Sequence, residues 1–240
     1  VIAPVVLDAA AQHIPMVNGT SGVKNLNYLV YPQTFVRDIE VFKELVNIRT
    51  IVNLTSAAYS RVLSRDPGAP ERVKARFGIT SVDLFVDTRA DEVLAGIPAD
   101  ADAVFIEPLP NLPAAEFDKL VQGMIDRRLP SFSFFGDDEV RKGVFASANP
   151  DILPRLARRI ALNLQRIVGE HEEPGNLHVA FSPGRRLTIN LNTAAAIGIS
   201  PRWSVMLEAE LVEADSVRLG GISMDLPKAI RQIADRSLDV

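Results

Sequence analysis

The sequence predicts an α/β fold with a mainly parallel sheet flanked by helices. Short apolar runs alternate along the chain with segments whose apolar residues recur at helical spacing, which is the pattern of successive βα units. The chain has 240 residues, of which 47% are hydrophobic and 23% charged, so it contains enough apolar side chains for one large or two small domains.

The first half of the chain contains four predicted strands, after a strand-like run at its start. That run covers residues 1–7, and the four strands cover residues 26–30, 50–54, 82–86 and 103–106. Predicted helices cover residues 35–46, 56–63, 70–77 and 91–97. Thr34 is in the position of an N-cap for the first helix, and the turn at residues 66–68 separates the second from the third.

The second half continues the alternation as far as residue 201. A helix is predicted at residues 113–127, a strand at 131–135 and a long helix at 151–168. The long helix has an apolar face formed by Leu153, Leu156, Ile160, Leu164 and Ile167. Residues 206–213 are amphipathic and fit either a strand or a helix, and residues 215–221 resemble a loop.

Composition excludes several classes of function. The net charge is -4 and the Lys and Arg residues are scattered, so we expect no binding of nucleic acid or of an anionic membrane surface. No apolar run approaches the roughly 18 residues that a membrane-spanning helix needs, so we expect no membrane insertion. The absence of cysteine excludes disulfides, thiolate metal sites and cysteine nucleophiles.

Two motifs carry a resemblance to a known family. Residues 186–201 read RLTINLNTAAAIGISP and predict a short strand, a cap at Thr193 and an alanine-rich helix. Residues 134–148 read FFGDDEVRKGVFASA and predict a strand, an acidic turn and a short helix. In this order they resemble the ABC-type substrate-binding proteins related to aromatic amino-acid binders, in which LVINLKTAKALGL and GALAT recur. The resemblance implies a two-lobed, Rossmann-like fold of the type I periplasmic-binding-protein class.

The resemblance covers about residues 1–201 and implies how the chain divides. Residues 1–48 look like the remainder of a first lobe that begins several βα units late and is truncated, and residues 49–135 look like the second lobe. Residues 136–201 then form the crossover and return segment. Residues 202–240 are interpreted as a linker and the possible start of an outer-membrane efflux domain.

The interpretation of the C-terminal segment depends on residues 222–240. These residues resemble the opening of TolC-type outer-membrane efflux proteins at Ile222, Met224, Ala229, Ile233 and Leu238. An amphipathic C-terminal helix with no relation to a channel is the alternative.

In the family, strand ends of the second lobe help to line the cleft between the lobes. The resemblance therefore implies six ligand-binding residues: Asn53, Thr55, Ser56, Glu107, Asn111 and Asp137. The chain departs from amino-acid-binding relatives in two of these loops. Residues 54–60 and 107–111 lack several polar groups that those relatives carry, which counts against an amino acid as the ligand.

The sequence offers little for catalysis. The three histidines are far apart and have no metal-type spacing, and no glycine-rich nucleotide loop follows any predicted strand. The carboxylates of Asp137, Asp138 and Glu139 fit the acidic start of a helix better than a calcium loop. We therefore expect no enzyme, no metal and no cofactor.

Taken together, these observations predict a non-catalytic solute-binding-protein-like domain of a transport or efflux system. It is expected to be periplasmic, as the N-terminal part of an outer-membrane efflux protein. The expected partners are a small molecule of unknown class and components of a transporter or efflux system. A structural adaptor whose ligand cleft has decayed is the alternative, and a Rossmann-like enzyme is a third hypothesis that the missing glycine loop disfavours.

Overall fold

The computed structural model describes residues 2–6, 9–10, 12–30, 34–60, 68–182, 184–212, 217–219 and 222–224. Within them the strands are β1 (Ile2–Val6), β2 (Asn27–Val30), β3 (Thr50–Ser56), β4 (Thr80–Val86), β5 (Ala103–Ile106), β6 (Ser131–Ser133), β7 (Ala146–Ser147), β8 (Thr188–Asn190), β9 (Glu210–Val212), β10 (Val217–Leu219) and β11 (Ile222–Met224). The helices are α1 (Phe35–Leu45), α2 (Ala57–Ser60), α3 (Ala69–Phe77), α4 (Ala90–Gly96), α5 (Ala114–Asp126), α6 (Asp137–Arg141), α7 (Leu153–Gly169), α8 (Leu191–Ile197) and α9 (Trp203–Glu208).

Seven strands form one sheet, in the order β4-β3-β5-β6-β7-β8-β9. Neighbouring strands are parallel except for β7 and β8, which run antiparallel. The longest pairing joins β3 to β4, from Thr50 opposite Thr80 to Ser56 opposite Val86. The predicted α/β class with a mainly parallel sheet is confirmed.

Both faces of this sheet are covered, because side chains alternate between the faces along each strand. On one face, Phe105 and Phe132 pack with α1, and the ring centroids of Phe42 and Phe132 are 4.9 Å apart. On the other face, residues of β3 and β5 pack with residues of α4 and α5. Helix α1 thus packs on the large sheet, although the predicted division placed residues up to 48 in the first lobe. That division stays a prediction.

Strands β1 and β2 form a separate parallel sheet with a small core. Isolated bridges connect it to the later chain, from Thr20 to His178 and from Val30 to Ala180. The phenol of Tyr28 donates a hydrogen bond of 2.7 Å to the carbonyl of Pro15. One cluster of buried apolar residues here consists of Val6, Ala9, Tyr28 and Val179, and Leu29 of β2 is buried as well.

Helix α7 is attached to the small sheet by a buried pair of asparagines. Asn163 Nδ2 donates to Asn27 Oδ1 at 2.9 Å, and both side chains are buried. The apolar face predicted for this helix is only partly covered, since Leu156 is buried whereas Leu153 and Leu164 are 55% and 45% exposed. A periodic pattern identifies an apolar stripe but does not say which part of the stripe meets another element.

One predicted helix cap is confirmed in position and the other is wrong. Thr34 is the N-cap residue of α1, but its hydroxyl makes no capping bond and donates to the Asp38 carboxylate in the first turn of the same helix at 2.6 Å. Asn190, rather than Thr193, caps α8 by accepting a hydrogen bond of 2.9 Å from the Thr193 backbone N–H. The Thr193 hydroxyl donates instead to the carbonyl of Gly143, a partner that the tertiary structure brings close.

The segment after α8 contains more regular structure than predicted. Residues 206–212 contain the end of α9 and then β9, so both alternatives for this stretch occur in succession. The loop predicted at 215–221 is wrong for residues 217–219, which form β10 and pair antiparallel with β11. The resemblance to efflux proteins begins within β11, and residues 225–240 lie outside the described residues. The efflux relation therefore stays a prediction.

Candidate functional site

The strand order of the large sheet reverses at β3, and such a reversal is expected to leave a crevice at the carboxyl ends of the strands. From β3 the chain continues to β4 on one side, and β5 then returns to the other side of β3. Such a reversal separates the loops that leave adjacent strands, and small molecules bind at this position in open α/β sheets. The crevice beyond β3 and β5 is therefore the first place to look for a ligand site.

Thr55 and Glu107 meet at this crevice. The pairing of β3 with β5 ends at Leu54 opposite Ile106, so the next residues, Thr55 and Glu107, lie side by side where β5 ends, while β3 continues to Ser56 along β4. Thr55 Oγ1 donates to Glu107 Oε2 at 2.7 Å, with Thr55 buried and Glu107 partly exposed. This hydrogen bond orients one carboxylate oxygen of Glu107 at the switch point.

Ser56 ends β3 at the same edge and starts the following helix. Its side chain is buried, and its Oγ accepts a hydrogen bond of 3.3 Å from the backbone N–H of Ala58. This contact satisfies one of the unpaired N–H groups at the start of α2. The hydroxyl of Ser56 is thus used by the turn that leads the chain away from the sheet.

Asn53 lies within β3, two residues before Thr55, rather than at the strand end. Its Nδ2 donates to Ser81 Oγ at 2.8 Å and to Asp83 Oδ1 at 3.0 Å, both on the neighbouring strand β4. Its Oδ1 is buried and has no hydrogen-bond partner among the described residues. The structure therefore places Asn53 on a face of the sheet, away from the crevice.

The last two predicted residues follow β5 and β6. Asn111 is exposed in the turn that precedes α5. Asp137 begins α6, directly after the turn that ends β6. Asp137 is 8% exposed, and among the described residues its Oδ1 has no hydrogen-bond partner, while its Oδ2 lies 3.8 Å from Nη2 of Arg141. The prediction that Asp137, Asp138 and Glu139 open a helix is confirmed.

A second hydroxyl and carboxylate pair, which the sequence analysis missed, lies at the end of β6. Ser133 Oγ donates to Glu139 Oε2 at 2.6 Å and accepts from the backbone N–H groups of Phe135 and Gly136. These contacts turn the chain, which is why β6 ends at residue 133 and not at 135 as predicted. Burial raises the pKa of Glu139 to about 7. A serine placed three residues before a glycine was the available signal.

Gly136 allows this turn to approach the next part of the chain. Its φ of 122° lies in a region that L-residues rarely adopt. A Cβ atom at this position would lie 3.0 Å from the Pro150 carbonyl oxygen and 3.1 Å from that of Asn149. The turn after β6 therefore packs directly against the segment that leads to α7.

Histidines and metal-type clusters do not contribute to the crevice. His13, His171 and His178 are all exposed, as predicted for ordinary surface residues. In the described ranges, no three His, Cys, Asp or Glu residues are grouped in a way that could hold a metal ion. None of the helices in the described part of the chain has the length and apolarity required to cross a bilayer.

The fold is similar to those of solved substrate-binding proteins. It matches a conserved domain protein from Vibrio cholerae at 21% identity and a TM-score of 0.71, covering 86% of this chain and 69% of that one. An ABC domain from Streptococcus pneumonia in complex with L-Trp matches at 22% identity and a TM-score of 0.69, covering 88% of this chain and 71% of that one.

A third match is the ligand-free, open structure of a substrate-binding protein with adhesive properties from Clostridium difficile. It has 17% identity and a TM-score of 0.59, covering 88% of this chain and 70% of that one. No protein-family model matches the chain, and a search of curated proteins finds no match. At these identities the likeness shows the fold alone, and the predicted periplasmic-binding-protein-like fold is confirmed.

Proposed function

We propose that this protein binds a small molecule in the crevice at the carboxyl ends of β3, β5 and β6 and catalyses no reaction on it. The observation that carries the proposal is the hydrogen bond from Thr55 to Glu107 at the reversal of strand order. A carboxylate fixed at such a position accepts hydrogen bonds from a ligand in a defined direction.

Two carboxylates that follow adjacent strands at this edge indicate the kind of ligand. Glu107 follows β5, and Asp137 follows the adjacent strand β6. Because both groups accept hydrogen bonds when ionised, they favour a ligand that presents an ammonium or amide N–H group. The structural match in complex with L-Trp is consistent with a small-molecule ligand, although it identifies only that protein's ligand.

We assign no catalysis to this protein because of the groups that its described residues present at this edge. The hydroxyls of Thr55 and Ser133 each donate to a carboxylate, and the three histidines are exposed elsewhere on the surface. Activation of a hydroxyl nucleophile normally requires an adjacent base that is itself oriented by a third group. We find no such set of three groups among the described residues at this edge.

A thermal-shift titration tests binding directly. The full chain is heated with amino acids including L-Trp, with primary amines, with purines and with apolar compounds. A ligand present at 100 times its Kd raises the free energy of unfolding by about 2.7 kcal/mol, which corresponds to about 5–10 °C in Tm for a chain of this size. A positive compound is then titrated calorimetrically against the parent and Glu107→Gln.

The control for Glu107→Gln is Glu44→Gln, which removes an exposed carboxylate on α1. We expect the first variant to weaken binding at least tenfold and the second to leave the affinity unchanged. Equal affinities for all three proteins would remove Glu107 from the site. Absence of any shift across the panel would contradict the binding proposal.

A structural adaptor with a decayed cleft is the second candidate. The observation in its favour is that polar groups at the edge satisfy one another, since Thr55 bonds to Glu107 and Ser56 bonds to the backbone of α2. A panel without a single positive compound would favour this candidate.

We propose the periplasm as the location that goes with a binding-protein fold. The relation to an outer-membrane efflux channel, and with it an outer-membrane anchor and efflux partners, is retained as a prediction from the residues after 222.

A further inference from the structure

The described chain passes three times between the small sheet of β1 and β2 and the large sheet. It first leaves the small sheet after β2 and enters α1, which packs on the large sheet. It leaves the large sheet after β7 and enters α7, which is bonded to β2 through Asn163. The third passage runs from Ala180, which is bridged to Val30, to β8. Any change in the angle between the sheets must bend these three passages.

One cluster of polar groups connects all three passages. Arg37, on the first turn of α1, donates from Nη1 to the Gly184 carbonyl in the third passage at 3.3 Å. Its Nη2 donates to Asn149 Oδ1 in the second passage. Its Nε and Nη2 also donate to Asp38 Oδ1, at 3.2 and 3.1 Å.

The rest of the cluster completes the coordination of Asp38. Asp38 Oδ2 accepts from Thr34 Oγ1 at 2.6 Å and from Asn149 Nδ2 at 3.0 Å, so both oxygens of the carboxylate are bonded. Asn149 Nδ2 also donates to the carbonyl of Phe134, at the end of β6. The Asp38 side chain has no exposed surface, whereas that of Arg37 is 32% exposed.

The energetics of this cluster oppose separation of the passages. A buried carboxylate is tolerated only while it is paired and hydrogen-bonded, and loss of one partner leaves an uncompensated charge. The guanidinium of Arg37 contacts the second and third passages at once, because its donors form a planar fork. Moving the second passage away from α1 would therefore break a buried hydrogen bond between Asn149 and Asp38, and moving the third would break the more exposed hydrogen bond from Arg37 to Gly184.

We propose that Thr34, Arg37, Asp38, Asn149 and the Gly184 carbonyl form a crossover latch that fixes the orientation of the small sheet relative to the large one. The latch acts on the backbone segments that connect the two sheets. It requires no ligand, and its test does not depend on the proposed binding function.

The latch is tested by distance measurements between one spin label in the turn before β2, on the side of the small sheet, and one on α5, which packs on the large sheet. The chain contains no cysteine, so Lys24→Cys and Asp118→Cys introduce the only thiols. Both positions are exposed, the first in the turn before β2 and the second on α5. Pulsed electron resonance then gives the distribution of label distances in the full chain. In the Asn149→Ala background, we expect this distribution to become broader and its mean to shift, because the second passage loses its bonds to α1.

The matched control is Glu40→Gln in the same labelled chain. Glu40 also lies on α1 and pairs with Arg76 Nη2 at 2.8 Å, but Arg76 is on α3 and neither residue contacts a passage. We expect the distance distribution of this variant to equal that of the parent. A lower Tm for Asn149→Ala with an unchanged distance distribution would overturn the proposal, since the cluster would then stabilise the fold without setting the orientation.

Arg37→Lys provides a second variant if Asn149→Ala does not fold. A lysine ammonium can still pair with Asp38, but it cannot reach the second and third passages with separate donors as the guanidinium does. We expect a broader distance distribution with secondary structure retained in the circular dichroism spectrum. An unchanged distribution in this variant would also overturn the proposal.

Discussion

The large and the small sheet differ in how completely their surfaces are buried. The large sheet has one apolar cluster on each face, whereas the small sheet has a single cluster of four buried residues. Helix α7, which is bonded to the small sheet, leaves Leu153, Leu164 and Val168 exposed. Where the large sheet is held by interlocked aromatic rings, the small one is held to its helix by an asparagine pair.

This difference indicates how stability is distributed over the molecule. Burial of apolar surface is the main favourable contribution to folding, and regions with few buried apolar contacts open at lower free energy than the rest. We therefore expect the large sheet to open only with global unfolding and the small sheet to open locally. The polar pair between Asn27 and Asn163 specifies the position of α7 more than it stabilises it.

The largest expected effect comes from the core of the large sheet. Phe132 is fully buried between Phe42 and Phe105, with ring centroids at 4.9 and 6.1 Å. We expect Phe132→Ala to lower the free energy of unfolding by about 3–5 kcal/mol, measured by urea denaturation. The matched variant Leu164→Ala, on the exposed part of α7, should cost less than about 1 kcal/mol. Similar losses for the two variants would contradict the proposed difference between the sheets.

A smaller effect is expected from the carboxyl group of Glu139, and it depends on pH. Burial raises the pKa of Glu139 from 4.5 to about 7, so between these values the folded protein binds more protons than the unfolded one. The free energy of unfolding should therefore fall as the pH rises from about 4.5 to about 7. Glu139→Gln removes this slope and should be more stable than the parent at pH 8 by about 3 kcal/mol.

Urea denaturation at pH 5 and pH 8 measures the slope, with Glu44→Gln as the control for loss of an exposed carboxylate. Equal slopes in the parent and in Glu139→Gln would show that this carboxyl group does not titrate in the expected range. Loss of the slope in Glu139→Gln would place the origin of the pH dependence at the edge of the large sheet, because Glu139 contacts β6 there through Ser133.

The smallest of these effects is expected at the small sheet. Asn163→Ala removes the hydrogen bond to Asn27 and should cost about 1.5 kcal/mol, because a buried polar atom loses its partner. Hydrogen exchange should become faster at the amides of β2 and remain unchanged at those of β5. Gln165→Ala, an exposed position on the same helix, is the control. Equal acceleration in both strands would mean that the two sheets open as one unit.

The fold was predictable where the signal was local. Residues 103–106 form β5 with the predicted bounds, and the apolar stripe predicted at residues 113–127 corresponds to α5. Prediction from the local sequence pattern failed where a side-chain hydroxyl could bond to more than one group. Thr34 and Thr193 both lie near helix starts, but the Thr34 hydroxyl bonds to the Asp38 side chain instead of the helix backbone, and the Thr193 hydroxyl bonds to Gly143, which only the folded chain brings close.

The candidate site shows the same limit. The sequence could place polar residues after predicted strands, and Thr55 and Glu107 do lie at strand ends in the structure, while Asp137 begins the helix that follows β6. It could not separate Asn53 from these residues, because that distinction depends on strand β3 continuing to residue 56. It also could not pair Thr55 with Glu107, whose contact follows from the register of β3 and β5.

The sequence by itself determined the α/β class, the order of most elements and their apolar faces, because periodicity and turn residues act over a few positions. Only the tertiary structure decided that β8 runs antiparallel to β7, that Leu153 and Leu164 on the apolar face of α7 stay exposed, and that Arg37 joins three passages of the chain. These features depend on contacts between residues up to 147 positions apart, which no local pattern encodes.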